Sequence, residues 1–578
     1  MKIIKLLISN FRSIGSIENG PGVVIDLEDT NVINLIGQNN VGKSSILSAY
    51  EYFVISGKTA LKDDFYKNLD NPIHIEAWIK AESIEDEEMQ AMKKSMCKDT
   101  KIARFKKVWS KENLGGQKYT YNYDSNEWDV GGGGGFDTLL QYACPTPVWL
   151  RGLDSVEIIL ESVQKLIKDK VLVRAAESER YKLLEKELEE LRKDIIGDDY
   201  AQKIQTKLTD LMNETFPSLK VSLYGKEKAN LGKKLSDFIE TDINFSENDS
   251  FSVHMNNHGH GIRRQFLFNA IRGLNDVFIE MSKVKKTRNE EIIDGLLSTN
   301  NSSSKSKMLL IEEPELFLHP QSVRMFSDVL YNLAEHSEFQ IMTATHSPIM
   351  VDLSRDHTTL LRVVATDEGS IVHQVKSNLF EDIEKEKMKM LNTFNPYVCE
   401  AFFSNNVILV EGDTEAVVFR ELLNKLVESK YIDLNGVPLV VNCGSKMNIP
   451  SFQKVLRHFD IKYFVIHDLD NKYNENGNNS AAWTLNTKIY EEIVLHNMNG
   501  STKANRFIME RNFESQHNYK YEVALGKPLS AYKLVTGWNI EDNLIGAIRA
   551  IKMALGIVEQ EDFGQEWVEL RGEIPLEV

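Results

Sequence analysis

"INLIGQNNVGKSSILSAYEYFV", Ile33 to Val54, is an apolar run, a glycine-bounded loop and a helical pattern in immediate succession. Residues 32 to 36 read as a buried strand, and Gly37 to Ser44 fit G-x-x-x-x-G-K-S. Strand, loop and helix in this order form a phosphate loop. Gly37 and Gly42 let main-chain amides close round phosphates, with Asn39 and Asn40 between them. Lys43 reaches the terminal phosphates, the Ser44 hydroxyl takes a magnesium ion, and Ser45 opens the helix. ATP with one Mg²⁺ is the expected ligand.

Two later stretches supply what hydrolysis needs. "KMLLIEEPELFLHP", Lys307 to Pro320, is an apolar strand ending in Glu312, expected to hold magnesium through water, and Glu313, expected to polarise the attacking water. "FQIMTATHSP" is another apolar strand, ending in His346, placed to sense the terminal phosphate. A lone histidine is more often structural; behind two matching strands it becomes a site candidate.

A second chemistry lies far along the chain. "VILVEGDTEAVVF", Val407 to Phe419, runs a buried strand into Glu411, Gly412 and Glu415, and "YFVIHDLDNK" runs another into Asp468 and Asp470. If that strand persists, the two aspartates face one side. Carboxylates crowded at a strand end repel one another unless a cation neutralises them. "RFIMERNFE" adds Glu510 behind an apolar run. Glu411, Glu415, Asp468, Asp470 and Glu510 suffice for two oxygen-ligated Mg²⁺ (or Mn²⁺) ions.

The chain has 578 residues, enough for three or four domains' worth of sequence, and a net charge of −17, which argues against a general DNA-coating protein. A local basic stripe can still contact phosphates; "KIARFKK" (Lys101 to Lys107) and "KKTR" (Lys285 to Arg288) are candidates, each more simply a solvated face. The four cysteines are scattered without metal-ligand spacing, and the N-terminal stretch lacks the form of a signal peptide. No apolar run reaches about 18 residues, so no membrane span and a cytoplasmic location are expected.

Residues 3 to 9 read as a strand; 73 to 80 and 117 to 128 alternate as in an antiparallel sheet, before the glycine run Gly131 to Gly135. From about Leu153 to Met212 a charged pattern with apolar residues at three-four spacing reads as a helical hairpin or short coiled coil. "LLSTNNSSSKSK" reads as an exposed loop, and residues 392 to 406 as a domain junction. Beyond it, strands at 407–410, 438–442 and 462–467 alternate with helices near 414–428 and 448–458, a small parallel α/β unit.

With "NFRSI" (Asn10 to Ile14) after the first strand and "NNHGHGIRRQ" around Gly259 and Gly261, the first part resembles the ATP-binding-cassette ATPases of the SMC and RecF type. That resemblance implies that Gly259 and Gly261 cap nucleotide held by a second copy, so that two heads form a dimer or larger assembly. The usual L-S-G-G-Q form is absent, and Glu312 stands where the wider family has Asp. The E-G-x-x-E and D-x-D pair resembles the Toprim domain, and the combination is similar to the OLD (overcoming lysogenization defect) family of ATP-dependent nucleases, including the nuclease subunit of Gabija-type antiphage systems and retron-associated effectors. The resemblance implies a lysine that assists catalysis, Lys527 or, second, Lys533.

The expected fold is α/β: an ABC-type ATPase domain over residues 1–395, with an inserted helical segment at about 153–240, then a Toprim domain over 396–578 with a short helical tail. The expected function is a metal-dependent DNA endonuclease regulated by ATP in its head, in defence against phage. Its implied partners are DNA, a second copy of the chain, and a defence-system helicase or reverse transcriptase. The other reading is an ATP-driven DNA-repair or DNA-end clamp whose Toprim part serves for docking.

Overall fold

The computed structural model describes residues 2–17, 20–67, 70–80, 96–97, 99–130, 140, 144–151, 199–214, 219–225, 241–247, 252–254, 262, 266, 269, 307–316, 318–335, 339–352, 354–386, 389, 396–473, 478, 480–510 and 512–572. The chain groups into two compact units. One holds Met1–Leu35, Gly42–Met350 and Asp367–Ser370; the other holds Ile36–Val41, Val351–Thr366 and Ile371–Val578.

Among the described residues, two larger sheets organise the first unit. Strands β1 (Lys2–Ser9), β2 (Val23–Asp26), β3 (Val32–Ile36), helix α1 (Lys43–Val54), β4 (Ile73–Lys80), β5 (Ile102–Trp109), β6 (Gln117–Asn122), β7 (Glu127–Val130) and β8 (Thr146–Arg151) follow in order. The antiparallel sheet runs β2-β1-β4-β5-β6-β7. Its period-two alternation puts Ile73, Ile75, Ala77 and Ile79 inside and leaves Trp78 and Glu76 on the other face.

That outer face carries a cross-strand row. Lys5 pairs with Trp78, Trp78 with Arg104, and Tyr121 with Trp128. The Arg104 guanidinium lies 4.7 Å from the Trp78 ring and 4.4 Å from the Tyr121 ring, and Lys106 lies 4.2 Å from Trp128. Lys107 points inward, its Nζ donating to Ile55 O at 3.2 Å. The stretch 101–107 is thus divided between two faces, with Arg104 and Lys106 seated on rings.

After helix α2 (Asp199–Asn213), strands β9 (Leu219–Gly225), β10 (Thr241–Glu247) and β11 (Ser252–His254) form a small antiparallel sheet. The described part of the region expected to be an inserted helical segment is therefore a helix followed by a strand. The heptad-like stretch before residue 199, Gly131–Gly135 and the lysines of 285–288 lie outside the described residues.

Strand β12 (Lys307–Glu312), helix α3 (Pro320–Glu335) and strand β13 (Phe339–Ala344) complete the unit. Strands β8, β12, β13 and β3 pair in parallel in that order. Val32, Leu309, Ile311 and Ile341 pack with Val323, Phe326 and Leu330 of α3. Each such side chain contributes about 1.5–3 kcal/mol on burial. Their near-continuous apolar runs mark strands covered on both faces.

In the second unit, β14 (Thr358–Thr366) and β15 (Gly369–Lys376) form a hairpin. They are followed by β16 (Asn406–Val410), α4 (Asp413–Glu428), β17 (Leu439–Asn442), α5 (Ile449–His458), β18 (Lys462–Asp468), α6 (Ala481–Asn499), β19 (Ala504–Met509), α7 (Phe513–Gln516), α8 (Gly526–Thr536), α9 (Gly546–Ala554) and α10 (Gln565–Gly572). The sheet is parallel with order β17-β16-β18-β19, so β16 is flanked on both sides and Val407–Val410 are fully buried. Val418, Phe419, Leu422 and Leu426 of α4 pack on one side with Ala531 and Val535 of α8 and the apolar face of α9. Phe452, Val455 and Leu456 of α5 pack on the other with Ile489 and Ile493 of α6.

Buried Arg362 of the hairpin donates to Phe459 O at 3.0 Å and to Asn405 Oδ1 at 2.6 Å, tying β14 to the parallel sheet. Among the described residues, no helix is long and apolar enough to cross a membrane.

Candidate nucleotide and metal sites

The phosphate loop has the backbone its sequence requires. Gly37 and Gly42 stand at φ 141° and 103°, a region that L side chains avoid. A Cβ at Gly42 would also collide with the Ser13 and Ser370 hydroxyls, so the second glycine is needed for space as well. Asn40 sits at φ 61°, which asparagine tolerates. Lys43 and Ser45 are buried at the start of α1.

Ser44 Oγ hydrogen-bonds to Glu312 at the end of β12, which brings together the two groups expected to share a magnesium ion. Burial lowers the Lys43 ammonium to about 8, against the opposing pull of Glu313, Glu315 and Glu312. Those acids surround the lysine from one strand end. Glu313 has φ 47° and donates its N–H to Ala344 O at 2.8 Å, so the strand breaks where its catalytic role would lie.

Glu315 was not singled out from the sequence. Its carboxylate accepts from Thr345 Oγ1 at 2.8 Å and from the His346 N–H at 2.6 Å, fixing the segment that carries His346. Burial, then Lys43, holds the His346 imidazole below its ordinary value. In "NFRSI", Arg12 Nε reaches Asp64 Oδ1 at 2.9 Å and Nη1 reaches Ser48 Oγ of α1 at 3.0 Å. Gly259 and Gly261 lie outside the described residues.

In the parallel sheet the carboxylates collect at the carboxyl ends of neighbouring strands, the usual place for a ligand in such a sheet. Val410 pairs with Ile466, so Glu411 lies beside the end of β18. The Asp468 N–H donates to Glu411 Oε1 at 2.7 Å. Burial raises Glu411 to about 7, and burial followed by repulsion from Glu411, Glu415 and Asp470 raises Asp468 to about 9. Glu415, in the first turn of α4, is raised by burial while its own N–H and that of Gly412 donate to it.

Asp470 departs from the expected geometry. Strand β18 ends at Asp468, and Asp470 adopts φ 63°, so the D-x-D pair does not share a strand face. Lys446, from the loop after β17, holds the turn instead. Its Nζ donates to Asp468 O at 2.5 Å and to Asp470 Oδ2 at 2.6 Å.

Glu510 follows β19 but is exposed, and its carboxylate pairs with Arg571 at 3.4 Å. Glu514, four residues on, lies with the acidic group. Asn512 caps α7 by accepting from the Ser515 N–H, which sets Glu514 in the first turn. Glu514 Oε1 takes Lys527 Nζ at 2.6 Å, and both groups interact electrostatically with Glu415. Burial pushes Glu514 up, but Lys527 and a main-chain hydrogen bond outweigh it and hold the carboxyl below its usual range. The Glu514 contact raises Lys527. Lys533 lies six residues farther along α8 and is exposed.

Among the described residues, no three acidic, histidine or cysteine side chains form a ready metal-ligand cluster. The donors are nonetheless all carboxylate oxygens, the set a hard divalent ion takes. Burial and mutual repulsion favour proton uptake at Glu411 and Asp468, and a cation relieves that penalty. In the chemistry of their donor atoms, the residues fit such an ion.

Residues 402–470 match the "Overcoming lysogenization defect protein-like, TOPRIM domain" model, and residues 1–131 and 155–351 match the "AAA ATPase domain" model. The chain is 24% identical over 459 residues to the Old nuclease of Escherichia phage P2, covering 75% of this chain and 73% of that one. It is 32% identical over 168 residues to the OLD nuclease of Thermus scotoductus, covering 28% of this chain and 30% of that one. It is 27% identical over 263 residues to the endonuclease GajA of Bacillus cereus, covering 44% and 43%.

The match thus spans less than half the length of the Thermus and Bacillus relatives. Among solved structures, an Smc head domain from Pyrococcus furiosus aligns over 68% of this chain and 99% of its own at 13% identity and a TM-score of 0.40. Phosphate loop, strand-end acids and Toprim carboxylates occur where the two matched models fall, and the chain belongs to the AAA ATPase domain family, with a segment at residues 402–470 that matches the overcoming-lysogenization-defect-like Toprim domain.

Proposed function

We propose that the chain is a DNA endonuclease whose Toprim unit hydrolyses phosphodiester bonds with divalent metal ions, under the control of ATP bound at the phosphate loop. The observation that carries this reading is the convergence of three burial-raised carboxyls, Glu411 and Asp468 at the ends of adjacent parallel strands and Glu415 in the first turn of α4. A structural role alone gives no reason to crowd acids that repel one another.

Glu411, Asp468 and Asp470 are the residues to hold one ion, and Glu415 with Glu514 a second. When bound, such ions activate water and support the leaving oxygen. Lys446 and the Asp468 N–H orient the acids. Lys527 presents an ammonium on the Glu514 and Glu415 side, where it neutralises charge developing on a scissile phosphate.

At the other site, Lys43 and the loop amides bind the nucleotide phosphates, Ser44 and Glu312 hold its magnesium, and Glu313 orients water. The relatives' printed names, nuclease and endonuclease, support the cutting activity. The group's resemblance to Gabija-type and retron-associated effectors supports action against phage, as a dimer or larger assembly.

The test is incubation of purified protein with supercoiled plasmid and Mg²⁺ or Mn²⁺, with and without ATP. Nicked or linear product that requires the metal and responds to nucleotide is expected. Intact plasmid under every condition contradicts the endonuclease reading and leaves an ATP-driven clamp.

A further inference from the structure

Lys446, which orients the acids, is also a buried cation of their site, 5% exposed. Its loop is fixed on both sides. Gly444 turns the chain at φ 72° with its N–H on Asn442 Oδ1 at 2.7 Å, and Asn448 Nδ2 donates to Cys443 O at 2.8 Å. Ser445 caps the short turn Lys446–Asn448 by accepting from the Met447 N–H.

The aspartate turn is equally held. The Leu469 N–H donates to Met509 O at 2.9 Å, and Leu469 O accepts from Asn486 Nδ2 at 2.9 Å. Two rigid loops therefore set the ammonium against Asp470 Oδ2 and Asp468 O, and its charge also acts on Glu411. Burying a lysine is costly unless it is paired, and here the partner is a carboxylate expected to bind metal.

We propose that Lys446 is a tethered cation that competes with a divalent ion for Asp470 and so sets the metal affinity of the Toprim site. The inference rests on the metal-site reading above. An ion that binds Asp470 must share or displace the ammonium, and the ammonium repels the approaching ion. Removing the charge while keeping the side-chain volume therefore tightens metal binding. A lysine that only props the loop would leave affinity unchanged or weaken it.

Mn²⁺ binding to the nucleotide-free full chain, measured by calorimetry, tests this in wild type, Lys446→Met, Lys446→Gln and Asp468→Asn, each checked for folding by circular dichroism. Lys446→Met and Lys446→Gln are expected to bind Mn²⁺ about tenfold or more tightly than wild type, with binding at this site lost in Asp468→Asn. Equal or weaker binding in both lysine variants, with the Asp468→Asn loss intact, overturns the competition and leaves the metal site standing. Binding that Asp468→Asn does not change overturns both.

The wild-type chain gives a reading without substitution. Mn²⁺ should raise acetic-anhydride labelling of Lys446, followed by mass spectrometry, as the ammonium leaves Asp470. Unchanged or reduced labelling contradicts the displacement.

Discussion

The Asp468 N–H donates to Glu411 Oε1 across 2.7 Å, joining residues 57 positions apart. The bond exists because β16 and β18 are parallel neighbours whose carboxyl ends coincide. It makes Asp468 the hinge of the acidic group, touching Glu411 through its amide and Lys446 through its carbonyl.

Asp468→Asn keeps the side-chain volume and the main-chain bond but removes the anionic charge of a proposed metal ligand. Mg²⁺-dependent plasmid cleavage is expected to fall by about a hundredfold or more, while ATP hydrolysis stays within about twofold. Parallel nicking and phosphate-release assays check it; equal loss of both activities contradicts separate sites.

Glu510 and Glu514 are told apart by the same assay. Glu514→Gln should lower cleavage on the order of tenfold or more, because it removes the partner of Lys527 beside Glu415. Glu510→Gln, exposed and paired only loosely with Arg571, should stay within about threefold. The reverse order would move the site to Glu510.

Lys527→Ala should cut the cleavage rate about tenfold or more with little change in thermal stability, since the side chain is exposed. Lys533→Ala should have no such effect. Full activity in Lys527→Ala removes that lysine from the mechanism.

Asp460 gives a prediction about pH. Burial raises its carboxyl, but bonds from Ser501 and Thr502 prevail and hold it at about 2. A depressed folded value means that the ionised group stabilises the fold above the unfolded value near 3.8, and that this contribution is lost as pH falls from there toward 2. With a discount for solvent screening, Asp460→Ala should cost about 1–2 kcal/mol at neutral pH, and most of the difference should vanish near pH 2. Urea unfolding of both proteins across that range measures it.

The parallel strands were legible because each is an unbroken apolar run bounded by turn residues, as in Val407–Val410 and Tyr463–Ile466. The phosphate loop was legible for a different reason: its glycines and lysine are fixed by backbone geometry rather than by packing. Long-range pairings were less accessible. Lys446 follows a glycine and a serine, which mark a turn but not its partner, and it is buried against the Asp468–Asp470 turn more than twenty residues away.

Glu514 was hidden behind Glu510, although Asn512 as a cap before "FES" is a local sign that a helix begins there. Asp470 would share a face with Asp468 only if the strand persisted, and it ends at Asp468. In "KIARFKK", strict alternation already requires Lys106 and Lys107 to face opposite sides, which the structure shows.

In the proposed function, one site cuts and a separate nucleotide site controls it. Lys43→Ala tests it most directly, with plasmid cleavage, Mn²⁺ binding at the Toprim site and ATP binding measured on one preparation. ATP affinity should fall by about tenfold or more, Mn²⁺ binding should match wild type, and cleavage should no longer respond to added ATP. ATP-responsive cleavage that persists after ATP binding is lost, or loss of Mn²⁺ binding in the folded variant, would contradict it.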